Sequence, residues 1–142
     1  MTALAQALTR EMALSRKFYA SGDLETAFAH LERAHVLGQR FFTTHMWTHW
    51  WMFKVGIRRM DAREAFGQAT RMFAVVPGYA FGWVPKGNTG GANVSPVKRM
   101  SPPADLAPLL EDYSVWSDVV RRSSLIAVAV MAVAALELLG LY

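Results

Sequence analysis

Three of the four histidines in the chain have a spacing that suits metal binding. All four lie between residues 30 and 49. His45 and His49 are four residues apart, so on a helix their side chains project from the same face, a common spacing for metal ligands. His35, near the end of the preceding helix, can approach this pair across a helical hairpin. A site of His35, His45 and His49 with an open coordination position would suit zinc, copper or a haem iron.

Other interpretations of the histidines stay open at this stage. The glutamate that a metalloprotease helix places between its two histidines is absent, since Met46, Trp47 and Thr48 stand there. The imidazoles could instead hydrogen-bond backbone groups or the loop beneath the neighbouring aromatic residues. The sequence predicts no cofactor beyond such a metal ion or haem.

The glycine-rich run GNTGGANVS, residues 87–95, is a second candidate site. Its glycines could let backbone N–H groups approach an anion. However, the run lacks the Gly-Lys-Ser/Thr ending of a phosphate-binding loop, and no strand precedes it. The alternative is close backbone packing, with Asn88, Thr89 and Asn93 making local turns. These three residues are the candidates for partner binding by the loop.

Composition narrows the classes of function. The chain has no cysteine, which excludes disulfides and thiolate chemistry. The net charge of +4 is spread along the chain, so we expect partners such as anionic lipid or acidic protein surfaces, and no nucleic acid. No nucleophile or acid–base pair is recognisable, and the sequence therefore does not predict an enzyme.

Four helices are predicted to position the histidines. Apolar residues recur at helical spacing from residue 2 to about residue 75, with Asp23 and Asp61 as N-caps and a stop before Pro77. The pattern Asp-x-x-x-Ala-Phe-x-x-x-x-Arg begins at both aspartates, 38 residues apart. The phrase FYASGDLETAFAHLERA resembles a tetratricopeptide hairpin, although two hairpins fall short of the three repeats that such arrays need. Residues 1–76 are thus predicted to form an all-α domain of two stacked helical hairpins.

The rest of the chain is predicted to form a loop, a surface helix and a membrane anchor. Residues 77–104 are rich in glycine and proline and predict a long ordered loop. Residues 105–122 predict an amphipathic helix, which lies at a membrane surface or runs into the span. Residues 123–142 predict a transmembrane helix whose only charge is Glu137. The alternative is a buried C-terminal helix of a soluble protein.

The residues around the span predict its topology and its contacts. Basic residues directly before it place the N-terminal domain in the cytoplasm and the C-terminus in the periplasm, at a bacterial inner or intracytoplasmic membrane. One face of the span could dock against other subunits, unless its glutamate instead extends to the far interface. The predicted interface residues are Trp116, Arg121, Arg122 and Tyr142, and the predicted docking residues are Ala127, Val130, Ala134 and Glu137.

Two segments carry a resemblance to a known family. AHLERAHVLGQRFFTTHMWTHW (29–50) and GNTGGANVSPVKRMSPPADL (87–106) resemble an uncharacterised bacterial family known only by a domain-of-unknown-function label. The resemblance covers about residues 10–110 and implies no activity. Typical members look like soluble proteins that end near residue 110, so the membrane anchor is an addition that suggests recruitment to a membrane assembly.

The leading hypothesis from the sequence is a non-catalytic, single-span accessory or scaffold subunit. It would cap the cytoplasmic face of a larger inner-membrane complex, of the photosynthetic reaction centre–light-harvesting or respiratory electron-transfer kind. Its partners would be other membrane subunits and anionic lipid. The alternative is a membrane-tethered metal- or haem-binding protein that uses the clustered histidines. A third hypothesis is an enzyme acting on a phosphorylated substrate at the glycine loop.

Overall fold

The computed structural model describes residues 1–140 as an all-helical protein with no strand among them. The predicted fold class is therefore confirmed. Tyr142, predicted at the far membrane interface, lies outside the described residues. The helices are α1 (Ala3–Ser21), α2 (Leu24–Gly38), α3 (Phe42–Arg58), α4 (Ala62–Phe81) and α5 (Val115–Leu138), with one turn of 3₁₀ helix at Ala107–Leu110.

Two helical hairpins stack through α2 and α3. Both predicted N-caps are present: Asp23 accepts the Thr26 N–H at 3.1 Å and Asp61 accepts the Glu64 N–H at 2.9 Å. In the second hairpin α3 and α4 approach closely at Gly56, where an added Cβ would lie 2.9 Å from the backbone nitrogen of Ala65. This close approach brings α4 against the helix that carries His45 and His49.

Two buried clusters hold the domain together. The first joins α1, α2 and α3, and the second joins the end of α2 to the segment that precedes α5. Burying a side chain of this size stabilises the fold by about 1.5–3 kcal/mol. The members of the first cluster are Met12, Leu31, Ala34, Met52 and Val55, and those of the second are Val36, Leu37, Leu106, Leu110 and Tyr113.

Helix α4 continues past the predicted stop. Pro77 lies inside the helix, which ends only at Gly82, whose φ is +73°. Proline normally breaks a helix because it lacks an N–H and its ring clashes with the preceding turn. Here the extra turn packs against α5: Arg122 donates to the Tyr79 carbonyl oxygen at 2.8 Å and lies over the Tyr79 ring. Tertiary contacts thus override the local preference.

The prediction of one amphipathic helix over 105–122 is wrong. Residues 107–110 form a 3₁₀ turn, the chain then leaves helical geometry, and a new helix begins after Ser114. Ser114 Oγ caps this helix by accepting the Ser117 N–H at 3.3 Å. The first half packs on the core through Leu106 and Leu110, while the second half is continuous with the C-terminal apolar helix.

Helix α5 could cross a membrane by its length and composition. Its 24 residues extend about 36 Å, and the most apolar stretch is not buried anywhere in the protein. It is the one helix with this property in the described part of the chain. The domain contacts the N-terminal part of α5, through residues such as Val119 and Arg122.

Candidate metal centre

The structure brings the three predicted histidines together at the junction of α2, α3 and the glycine-rich loop. His35 lies on the last turn of α2, and His45 and His49 share one face of α3. All three side chains are buried, and one ring nitrogen from each lies within 4.8 Å of the others. His30, the fourth histidine, is bonded to Glu11 on α1 and stands apart from them.

Two of the three pairs of Nε2 atoms lie at distances that match a metal coordination sphere. His49 Nε2 lies 3.1 Å from His45 Nε2 and 3.3 Å from His35 Nε2. Imidazole nitrogens bind zinc at about 2.0–2.1 Å, so two ligands of a tetrahedral site are about 3.3–3.4 Å apart. These two pairs therefore already have close to the nitrogen spacing that a bound ion would impose, and all three ligand atoms lie within 4.8 Å of one another.

Hydrogen bonds orient the rings of His35 and His49. His35 Nδ1 lies 2.8 Å from the carbonyl oxygen of Asn88, which can only accept, so Nδ1 carries the proton. His49 Nδ1 lies 2.6 Å from Gln68 Oε1. Both rings thus carry their proton on Nδ1 and direct an unprotonated Nε2 towards the cluster, as metal-binding histidines do.

The amide orientation of Gln68 is fixed from its other side. Gln68 Nε2 donates to Glu64 Oε1 at 2.6 Å and to the carbonyl oxygen of Gly90 at 2.8 Å. Both partners are acceptors, so the amide nitrogen must face them and Oε1 must face His49. Glu64 in turn accepts the Ala92 N–H at 3.0 Å. A carboxylate–amide–imidazole chain therefore supports His49 from helix α4.

His45 differs from the other two because its Nδ1 has no hydrogen-bond partner among the described residues, although the atom is buried. Its Nε2 can carry the proton and donate to His49, or it can carry the lone pair to a metal ion. In the second case it completes a set of three neutral nitrogen donors.

Burial keeps all three imidazoles neutral. It lowers the pKa of His35 to about 4, with the nearby Arg71 guanidinium adding to the effect and the Asn88 carbonyl opposing it. The pKa values of His45 and His49 are lowered well below the usual 6.5, again chiefly by burial. Neutral imidazole is the form that binds metal ions.

The glycine-rich loop forms the wall over His35. Gly90 has a φ of +84°, and an added Cβ would lie 2.7–2.9 Å from three atoms of the His35 ring. Only glycine suits both this backbone conformation and this contact. Asn88 is completely engaged inside the loop: its Nδ2 donates to the Ser95 and Lys98 carbonyl oxygens, and its Oδ1 accepts the Gly90 N–H. The loop is thus built around the histidine that it covers.

Arg71 fastens this loop to α4. Its guanidinium donates to the carbonyl oxygens of Gly91 at 3.0 Å and Val94 at 2.6 Å, and to that of Gly67 on its own helix. The side chain is half-buried, and burial lowers its pKa. These bonds leave a positive charge close to the cluster.

A cavity of about 210 Å³ lies beside the three histidines. Its remaining wall is mostly apolar and comes from the end of α4 and from the loop. Trp83 and Val97 line it although they are 64% and 71% exposed, so they mark its mouth. The other lining residues are Arg71, Ala74, Val75, Pro77, Gly78, Val84, Pro85, Asn88, Gly90 and Pro96.

The other predicted loop residues do not form a second site with Asn88. Thr89 hydrogen-bonds the side chain of Glu32, and Asn93 is exposed. Since Asn88 is buried and its side chain serves the loop, these three residues do not converge on one ligand.

All the predicted membrane residues except Tyr142, which lies outside the described residues, lie on α5. The four docking candidates Ala127, Val130, Ala134 and Glu137 are exposed on the apolar part of the helix. Trp116 is exposed and Arg121 reaches Asp118 at 3.4 Å. Arg122 instead turns back to the Tyr79 carbonyl oxygen in the domain.

The sequence analysis missed Gln68, Glu64 and Arg71. Glu64 and Gln68 are four residues apart on α4 and are both buried, which is unusual for a charged and an amide side chain. The sequence shows this spacing, but many exposed polar pairs have the same spacing. The spacing therefore does not identify a buried pair. Arg71 follows one turn later, and nothing in its local pattern indicates a contact with a loop twenty residues away.

A family model described as "Protein of unknown function (DUF3703)" matches residues 2–110. The match covers both segments on which the resemblance rested and ends before α5. No curated protein and no solved structure matches the chain.

Proposed function

This chain belongs to the DUF3703 family of proteins of unknown function, and we propose from its own geometry that it binds one divalent transition-metal ion through His35, His45 and His49. The family match ends at residue 110, so the site lies inside the shared domain and α5 outside it. Under this proposal, the protein consists of a metal-binding domain followed by an additional C-terminal helix.

The convergence of three Nε2 atoms within the buried cluster supports this proposal most strongly. The protons on His35 and His49 are committed to Nδ1, so these two Nε2 atoms present lone pairs to each other at 3.3 Å. A single proton on His45 can bridge one such pair. A cation at the centre satisfies all three nitrogens at once, because each imidazole donates a lone pair to it.

The donor set favours zinc, cobalt, nickel or copper. Neutral imidazoles suit these borderline ions, and three protein ligands with a fourth position open is the usual arrangement of a reactive zinc site. Haem does not fit, because the cavity of about 210 Å³ is too small to hold the macrocycle.

The direct test is metal titration of the full chain in mild detergent. After treatment with a chelator, we expect one equivalent of Zn²⁺ or Co²⁺ to bind, with the visible absorption of tetrahedral Co²⁺. His45→Ala and His49→Ala should each weaken binding by at least about 100-fold, since even losing the partner of a ligand costs 10–100-fold.

His30→Ala is the matched control, because it removes a histidine that lies outside the cluster. It should leave stoichiometry and affinity unchanged. Absence of binding to the wild-type chain, or an equal loss in His30→Ala and His49→Ala, would overturn the metal-binding proposal.

We further propose that α5 anchors this domain to a bacterial inner membrane with the domain in the cytoplasm. The supporting observations are the exposed apolar surface of α5 and the arginines Arg121 and Arg122, which precede the apolar part of this helix and by the positive-inside rule stay on the cytoplasmic side. Because the chain has no cysteine, Thr2→Cys provides one label site. Labelling by an impermeant maleimide should require broken cells, and labelling in intact cells would reverse the topology.

An accessory subunit of a membrane complex is the second candidate function. It is favoured by the face of α5 formed by Ala127, Val130, Ala134 and Glu137, which contacts no other described element and includes a carboxylate that is costly to expose to lipid. Ala134→Asn should release the chain from co-purifying subunits, whereas Ala132→Asn on the opposite face should not. Equal retention of both variants would refute docking through this face.

A further inference from the structure

The cavity beside the three histidines offers a ligand one polar anchor and apolar walls. Val75, Pro77, Val84, Pro96 and Val97 supply most of the wall. Besides the histidines, three side chains that line it carry polar groups: Arg71, Asn88 and the indole of Trp83, which lies at the mouth. Asn88 is bonded to loop backbone through both its amide atoms, and Arg71 is bonded to three carbonyl oxygens. The metal position therefore offers a bound molecule its strongest polar contact in the interior of the cavity.

The charge of the site favours an anionic donor there. Three neutral imidazoles leave the full 2+ charge on a bound ion, and the Arg71 guanidinium at the cavity wall adds another positive charge. Glu64, which supplies the carboxylate of the carboxylate–amide–imidazole chain, is bonded to Gln68 and to the Ala92 N–H. It does not line the cavity. Because charges interact more strongly in a low-dielectric pocket than in water, this excess of positive charge favours an anionic ligand.

The size of the cavity limits the rest of the ligand. A cavity of about 150 Å³ holds benzene, so 210 Å³ has room for roughly eight non-hydrogen atoms. A carboxylate head with a short alkyl chain meets all three conditions, since hexanoate has eight such atoms.

We propose, on the basis of the metal centre proposed above, that the cavity binds a short-chain aliphatic monocarboxylate. The carboxylate occupies the open position on the metal ion, and the alkyl chain lies along the wall formed by the end of α4 and the proline-rich part of the loop.

The test uses the Co²⁺-loaded full chain and a series of carboxylates from acetate to myristate. Binding is followed by the change in the visible Co²⁺ spectrum, which reports the metal directly. Each buried methylene contributes enough to tighten binding about fourfold, so hexanoate should bind on the order of 100-fold more tightly than acetate. The gain should stop near six carbons, where the cavity is full.

Gly78→Leu fills the cavity without disturbing the metal. Gly78 lines the cavity from inside α4, its φ is not positive, and an added Cβ meets nothing within 4 Å. The substitution also replaces glycine in a helix, which favours folding. We expect unchanged Co²⁺ affinity and acetate binding, together with loss of the chain-length dependence. Ala80→Leu, exposed on the same helix and outside the cavity, is the matched control and should behave as the wild type.

The outcomes separate the two proposals. Equal affinities for acetate and hexanoate in the Co²⁺-loaded wild type overturn the ligand assignment and leave the metal centre standing. So does a chain-length dependence that persists in Gly78→Leu, because the alkyl chain is then bound elsewhere. Affinity that keeps rising to myristate overturns the short-chain assignment in favour of a membrane fatty acid. A chain that binds no Co²⁺ overturns both proposals.

Discussion

Replacing Gln68 with leucine removes the support of the metal centre while leaving its three ligands in place. Gln68 is completely buried, and its Oε1 accepts the Nδ1–H of His49, with 2.6 Å between Nδ1 and Oε1. Leucine has a similar volume, so the packing of α4 against α3 is largely preserved. Without the amide oxygen, His49 loses the partner that fixes its tautomer and its ring orientation.

The expected loss of metal affinity is 10–100-fold, the range found when the outer partner of a metal-binding histidine is removed. This corresponds to about 1.4–2.7 kcal/mol. The metal-free protein should also lose about 1–3 kcal/mol of stability, because the His49 N–H and the Gly90 carbonyl are left buried without a partner.

Thermal or urea unfolding with and without zinc measures both effects. At a free zinc concentration of 100 times the wild-type dissociation constant, metal binding stabilises the wild type by about 2.7 kcal/mol. At the same concentration the variant should gain only about 0.4–1.4 kcal/mol. The difference between the two gains reports the metal site separately from the general loss of stability.

Thr48→Val is the matched control, because Thr48 is also completely buried on α3 and its hydroxyl donates to the His45 carbonyl oxygen at 2.8 Å. Removing this hydroxyl should lower stability without changing the gain from zinc. If Gln68→Leu loses stability but gains as much from zinc as the wild type, the carboxylate–amide–imidazole chain does not tune a metal ligand and our reasoning is wrong.

Three further predictions follow from the same structure. Between about pH 6.5 and pH 4 the unfolded chain takes up a proton at His35 that the folded protein does not bind, so His35 alone should lower the free energy of unfolding of the metal-free protein by about 1.4 kcal/mol for each pH unit of acidification. Burial also lowers the pKa values of His45 and His49, so these two residues should make the fall steeper. Urea titrations at pH 7 and pH 4.5 test this, and an unchanged midpoint would contradict burial of the neutral ring. Gly90→Ala should displace the His35 ring and weaken zinc binding, whereas Gly22→Ala should strain a similar φ of +86° with no effect on zinc; equal zinc affinities in a titration would refute this role of Gly90. Deleting residues 115–142 should release the protein from the membrane fraction, and a deletion variant that still sediments with membranes would show that α5 is not the anchor.

The positions of the histidines could be predicted from the sequence because they depend on local geometry. A spacing of four places His45 and His49 on one face of any helix. Asp23 and Asp61 marked helix starts through their own side chains, which fixed the hairpins and hence the approach of His35. These features need only short-range information.

The support of the site could not be predicted in the same way. Gln68 acts through contacts with α3 and with the loop, and its own position on α4 does not distinguish a buried amide from a solvated one. Similarly, the helical extension past Pro77 depends on the contact of Tyr79 with Arg122, which lies 43 residues after Tyr79 in the chain. The break at Ser114 was hidden because apolar residues on both sides of it continue a helical period.

The packing of α5 on the last turn of α4 connects α5 to the helix that forms part of the cavity wall. Helix α5 is continuous from Val115 to Leu138, and its Arg122 and Val119 meet Tyr79 and Gly82. That turn directly follows the part of α4 that lines the cavity. With α5 in a bilayer as proposed above, we expect a change in its tilt with bilayer thickness to shift the cavity wall, because the helix has no break that could absorb the motion. The affinity of the cavity for its ligand should therefore differ between thin and thick bilayers, even though the residues that contact the ligand are the same.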